Sequence, residues 1–345
     1  MDPNSQKLLL ASGGKTPYSG DIALGHELSP YISIYSWSAG FGTKYSDPGT
    51  LPTGLVFGVA FSPNKLAVAV AHANSPYITA YPWTSGVGFG AKYSNPSSLP
   101  AGLGYSVSFS PDSNSIAVTH GNTPYISAYP WSPGFGTKYS DPSLIPIGSG
   151  QGVAFSPDGL SIAVTHSNSP YISVYPWLPG FGAKYSNPST LPSGPPNLGS
   201  SVAFNSNSTA IAVAHTTSPY VSVYPWSAGF GTKYSNPSVA VNGTGYSVAF
   251  SPDNKSIAVG HEVSPYVTTY PWSPGFGTKY SNPSTALPGT GLTVAFSPDN
   301  ESIAVGHEAS PYVSAYEWNA GFGTKYANPS TALPARVFGA TFLPA

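Results

Sequence analysis

The chain has no cysteine in its 345 residues, which excludes disulfides and thiolate metal sites and leaves the redox compartment open. Charge is almost as scarce. Charged residues make up 7%, against roughly 25% in an average globular protein, the formal net charge is −1, and Arg336 is the only arginine. Nucleic-acid binding draws its affinity from many Lys and Arg groups set against phosphates, so a nucleic-acid partner is excluded. No run approaches the roughly 18 apolar residues of a membrane helix, so no membrane insertion is expected. The opening M-D-P-N-S-Q-K-L-L-L-A-S-G-G-K carries an apolar run too short for a signal-peptide core, and no classical export signal is expected. No segment shows a 3.6-residue apolar period, which predicts essentially no helix.

What the chain does have is turns and aromatics. Gly and Pro number 38 each and aromatic residues reach 14%, a balance that predicts many short strands joined by tight turns. These strands come as one unit written seven times. A Ser/Thr-Pro-Tyr motif recurs at Tyr31, Tyr77, Tyr125, Tyr171, Tyr220, Tyr266 and Tyr312. Six residues after each tyrosine stands a tryptophan: Trp37, Trp83, Trp131, Trp177, Trp226, Trp272 and Trp318. Five residues before each stands a histidine: His26, His72, His120, His166, His215, His261 and His307. These are all the tryptophans and all the histidines of the chain.

The unit at 150–190 reads as four strands: G-V-A-F-S-P, S-I-A-V-T-H, Y-I-S-V-Y-P-W and F-G-A-K-Y-S. Four short strands in about 46 residues match one blade of a β-propeller. Ile162 and Val164 share one strand face with His166, and Ala163 lies on the other. Both faces are apolar and need cover, which stacked blades provide, large side chains against small. The first-strand type occurs six times internally. Its seventh copy, A-R-V-F-G-A-T-F-L-P-A (335–345), stands at the far end, while the first unit lacks it. The expected fold is therefore an all-β, seven-bladed propeller of four-stranded blades. The C-terminal strand would complete the first blade, closing the ring and removing open sheet edges. Residues 21–345 form that single domain, and 1–20 an N-terminal arm or extra strand, with L-L-L-A-S-G (8–13) left over.

The run V-A-F-S-P-D-G-L-S-I-A-V (153–164), with a third strand ending in Trp177, resembles the WD-repeat and YVTN-type propeller families over nearly the whole chain. That resemblance implies a ring with a central channel, used as a binding platform. The His and Trp-Asp positions of WD repeats do not match here, so that family's polar network does not transfer. The G-F-G-T-K-Y-S-N-P segments also resemble repeat arrays of proteins encoded by tailed bacteriophages, which implies a virion context.

A side chain present in every blade is explained by a repeated interface, so the seven tryptophans are expected to be structural anchors. The seven lysines of the fourth strand, Lys44 to Lys325, read as guards against edge pairing. His26, His261 and His307 are each followed by a glutamate (Glu27, Glu262, Glu308), and ring closure would bring those three motifs into one arc. The arc is the candidate partner-contact patch, with the glutamates exposed and available. No unique nucleophile–base set, phosphate loop or zinc motif is present. The sequence thus predicts no enzyme, no catalytic or metal site and no cofactor. It predicts a binding or structural propeller on a virion or extracellular surface, a cytoplasmic location remaining open. Its partners would be other proteins of an assembly, a host receptor or a glycan. A multivalent lectin with one site per blade pair is the alternative. The connection at 187–199 is the longest and reads as a contact loop.

Overall fold

Seven antiparallel sheets follow one another along the chain in a computed structural model that describes residues 18–192 and 201–345. Among the described residues every regular element is a strand. Sheet 2 begins with Val56–Phe61, Ala67–His72 and Ile78–Thr84, and sheets 3 to 7 repeat this meander. Sheet 1 takes its first strand from the other end of the chain. Val337–Phe342 pairs antiparallel with Ser19–His26, in register from Ile22–Phe342 to Gly25–Gly339, with a bulge before His26 meets Val337. Residues 1–17, including the 8–13 segment, lie outside the described residues, as do 193–199 of the expected contact loop. The strand of sheet 1 begins at Ser19, earlier than the expected arm boundary at residue 20. Tyr18 adds a tether there: its amide donates to Asp299 Oδ2 at 2.9 Å and its hydroxyl to the Leu343 carbonyl.

Both faces of each second strand are buried, because small residues of one sheet receive large residues of the next. Ala117, Ile126 and Ala128 of sheet 3 pack on Val153, Phe155, Ile162, Val164, Tyr175 and Trp177 of sheet 4. The same pattern sets Ala304, Val313 and Ala315 of sheet 7 against Leu24, Tyr35 and Trp37 of sheet 1. All seven tryptophans are buried. Trp177 shows the common environment, meeting Phe155, Phe181 and Tyr139 of the preceding sheet edge-on at 5.1, 5.2 and 5.4 Å. Each such pair contributes about 0.5–1.5 kcal/mol beyond the apolar area it buries.

The fourth strands are shorter than expected. They run over four residues only in sheets 1 and 7, Phe41–Lys44 and Phe322–Lys325, and over two in sheet 2, Gly88–Phe89. In sheets 3 to 6 a single Trp–Phe bridge stands in their place. The reason lies one residue before each tryptophan, where sheets 2 to 6 carry proline. Proline lacks the N–H that continues a ladder. Sheets 1 and 7 have Ser36 and Glu317 instead, whose side chains accept from the amides of Thr43 and Thr324 at 3.0 and 3.2 Å. The fourth-strand lysines fold back onto the Asp or Asn three residues on, as Lys138 does onto Asp141 and Lys325 onto Asn328.

Candidate functional site

The histidine at the end of each second strand is placed by its own turn, which carries a cis Ser–Pro or Thr–Pro bond. In His26, His120, His166 and His307 the ring Nδ1–H donates to the carbonyl two residues on, at 2.7 to 2.9 Å. Nε2 of each accepts from a third-strand serine at 3.0 Å. His72 and His261 use Thr79 and Thr268 in the same way. Burial pushes His26, His72, His120, His166, His261 and His307 down to about 4, so they are neutral near pH 7. The expectation that His26, His261 and His307 present themselves to a partner is therefore corrected. Their side chains are fully buried and hold the turns.

Their glutamate neighbours lie where the inner strands begin. The amides of Glu27, Glu262 and Glu308 bond to the carbonyls of Arg336, Thr244 and Thr290, which immediately precede the first strands of sheets 1, 6 and 7. Arg336 joins two of the three. Its Nε and Nη2 donate to both oxygens of Glu27 at 2.9 and 3.0 Å, and Nη1 donates to Glu308 Oε1 at 3.4 Å. Hydrogen bonding to Glu27 is the main cause that raises the Arg336 pKa, so the guanidinium is a fixed positive charge. Glu262 and Glu308 are exposed, but Glu27 is half-buried and engaged, a correction to its expected availability. The third carboxylate is linked through Tyr246, whose pKa is raised by burial first and then by the charges of Glu262 and Glu308.

A second group of residues adjoins this cluster. The guanidinium lies over the ring of Phe338 at 5.1 Å. Phe338 meets Phe57 at 5.5 Å, and Phe57 meets Tyr105 at 5.4 Å. These rings are the second residues of three consecutive inner strands. One residue further in stands a girdle of small residues that includes Gly58, Ser106, Ser247 and Gly339. A Cβ on Gly58 would fall 2.9 Å from Ser106 Cα, so the backbones here approach as closely as glycine permits. The girdle and the rings enclose a cavity of about 110 Å³, which Gln151 also lines. Sequence reasoning missed this set. Its signal was a column of the repeat that does not repeat: Phe57, Tyr105, Gln151, Tyr246, Leu292 and Phe338.

The arrangement offers one guanidinium, carboxylates in unequal states of engagement, a protonated phenol and an aromatic wall. No group of three or more His, Asp or Glu side chains among the described residues is placed to hold a metal ion. No described helix is long and apolar enough to cross a membrane.

No protein-family model matches the sequence, and no curated protein is significantly similar to it. Solved structures do match in fold. A structure named as a putative 6-phosphogluconolactonase from Bacteroides uniformis is 14% identical, with a TM-score of 0.66, covering 94% of this chain and 99% of that one. The periplasmic gluconolactonase of Pseudomonas aeruginosa is 14% identical, with a TM-score of 0.68 and coverage of 94% and 99%. A protein of unknown function from Desulfotomaculum acetoxidans is 13% identical, with a TM-score of 0.67 and coverage of 95% and 99%. The chain is thus an all-β, propeller-type protein of repeated sheets similar to those of lactonase-like propellers. These likenesses overturn the expectation of a non-enzymatic virion, receptor-binding or carbohydrate-binding protein, because the similar structures with a stated activity are named as lactonases. Neither the WD-repeat nor the bacteriophage resemblance finds support among them.

Proposed function

We propose that the chain is a hydrolase of neutral sugar lactones, working where Arg336, Glu308, Glu262 and Tyr246 meet the aromatic wall. The observation that carries this reading is asymmetry. In a molecule whose polar residues recur in every sheet, these side chains form one unrepeated cluster at the start of the inner strands. The names of the similar lactonases support the reaction class. The seven sheets are read here as blades of one closed ring. The pairing of Val337–Phe342 with Ser19–His26 and the packing of sheet 7 on sheet 1 support that closure.

Ring opening of a lactone makes modest demands. A carboxylate takes a proton from water as the water oxygen attacks the carbonyl carbon. The bond from that carbon to the ring oxygen then breaks, and the departing oxygen takes a proton, giving the open hydroxy acid. Glu308, which receives only one longer contact from Arg336, is the base in this reading. Tyr246, kept protonated by burial and by its acidic neighbours, supplies the proton to the ring oxygen. Arg336 sets positive charge beside the oxyanion. Phe57, Tyr105 and Phe338 give the C–H face of a sugar ring a surface to lie on. Three carboxylates against one guanidinium leave an excess of negative charge, which disfavours phosphorylated substrates.

The test is proton release from glucono-1,5-lactone in a pH-stat. The protein should accelerate opening over the spontaneous rate, and Glu308→Gln should remove about a hundredfold of the gain. No acceleration across a panel of neutral aldonolactones would overturn the reading.

A further inference from the structure

The cavity beneath the aromatic wall contains an unmet hydrogen-bond acceptor. Gln151 is 6% exposed, and its Nε2 donates to Ser149 Oγ at 3.1 Å. Its Oε1 accepts from no described residue, although it is buried. An unpaired buried amide oxygen is destabilising, a penalty that a ligand's donor would remove. Two neighbouring serine hydroxyls already accept backbone amides. Ser201 Oγ accepts from Val248 N at 2.7 Å, and Ser247 Oγ from Val294 N at 3.1 Å. Among the described residues, no charged side chain lines the cavity.

We infer that this throat is a subsite for the primary alcohol of the substrate, with the substrate's O–H donating to Gln151 Oε1. The inference rests on the lactone reading and adds which substituent the protein selects. Its chemistry excludes the other candidates. A phosphate or carboxylate brings no donor and would meet an amide oxygen in a cavity whose described lining holds no cation. A metal ion needs several free oxygen ligands, whereas these hydroxyl oxygens already accept amide protons. The volume of about 110 Å³ seats a hydroxymethyl group with a water or two, at about 30 Å³ per water. Phe57, Tyr105 and Phe338 line this cavity and also form the wall above it. A sugar ring lying on them therefore has its exocyclic arm within reach of the throat.

The experiment compares two lactones that differ only in that arm, glucono-1,5-lactone and xylono-1,5-lactone, on the wild-type protein and on Gln151→Met. The wild type should prefer the glucono compound in kcat/KM by roughly tenfold or more, since a site built around a hydroxyl discriminates against its absence. Gln151→Met, close in volume but without the acceptor, should bring the two substrates level. Equal rates on both lactones with the wild-type protein would overturn the throat while leaving the lactone reading intact. An equal loss on both with Gln151→Met would do the same, whereas hydrolysis of neither would overturn both.

Discussion

The indole N–H of Trp83 donates to Oδ2 of Asp21 at 3.0 Å across the boundary between sheets 2 and 1, and the carboxylate is fully buried. The hydroxyl of Tyr45 donates to the other oxygen at 2.7 Å. The other six sheets have serine or alanine at this position, so only this boundary carries a buried carboxylate with two donors. Asp21→Ala should leave both donors unpaired and cost about 1–3 kcal/mol, read as a lowered urea midpoint. Asp21→Asn, which keeps an acceptor, should cost less; an unchanged midpoint for the alanine variant would show that the contacts contribute nothing.

Acid should unfold the protein steeply. Six histidines titrate at about 4 when folded, against about 6.5 in an unfolded chain. The unfolded state therefore binds protons that the folded state refuses. This contribution is fully present above pH 6.5 and is lost as pH falls toward 4. Each histidine adds up to about 1.4 kcal/mol per pH unit within that window. Urea unfolding at pH 7, 5.5 and 4.5 checks it, and an equal midpoint at pH 7 and 4.5 would contradict it.

Gly58→Ala and Gly49→Ala should differ sharply. The added methyl at residue 58 meets backbone at 2.9 and 3.0 Å, whereas at residue 49 nothing lies within 4 Å. The expected losses are about 1–3 kcal/mol for the first and less than about 0.5 for the second, measured by thermal unfolding.

Ser36→Pro should shorten the fourth strand of sheet 1 toward the single bridge seen in sheets 3 to 6. The amide of Thr43 loses its acceptor, so its hydrogen exchange should quicken while amides of Ile22 to Leu24 remain protected. Unchanged protection at Thr43 would count against proline as the cause of the short strands.

Arg336→Met should separate site from scaffold. The guanidinium and its carboxylates are partly exposed, so folding stability should change by less than about 1 kcal/mol. Lactone hydrolysis should fall tenfold or more, which a stability assay beside the pH-stat would resolve.

The periodicity made much of this legible. One tryptophan, histidine and proline turn per unit located the strands, their faces and the copy at 335–345 that pairs with the first unit. Proline's effect on the fourth strand was readable from Pro130 and its equivalents but needed Ser36 and Glu317 as the contrast. The site was harder. Repetition in every unit pointed to structural histidines, as burial bears out; only the glutamates that follow His26, His261 and His307 suggested a contact arc. The wall of Phe57, Tyr105 and Phe338 became visible only once distant strands were brought side by side. Arg336 was conspicuous as the sole arginine, but its partner Glu27 stands 309 positions away. The activity itself was not legible, since a cluster assembled from separate repeats leaves no local motif.

The register between Ile22 and Phe342 also governs the order of events during synthesis. At about 5–20 residues per second, strand Ser19–His26 emerges tens of seconds before the partner for its inner edge exists. During that interval the edge is open to the same six-residue segment of any neighbouring finished chain. Crowded translation should therefore favour exchanged dimers, in which each molecule lends its last strand to the other.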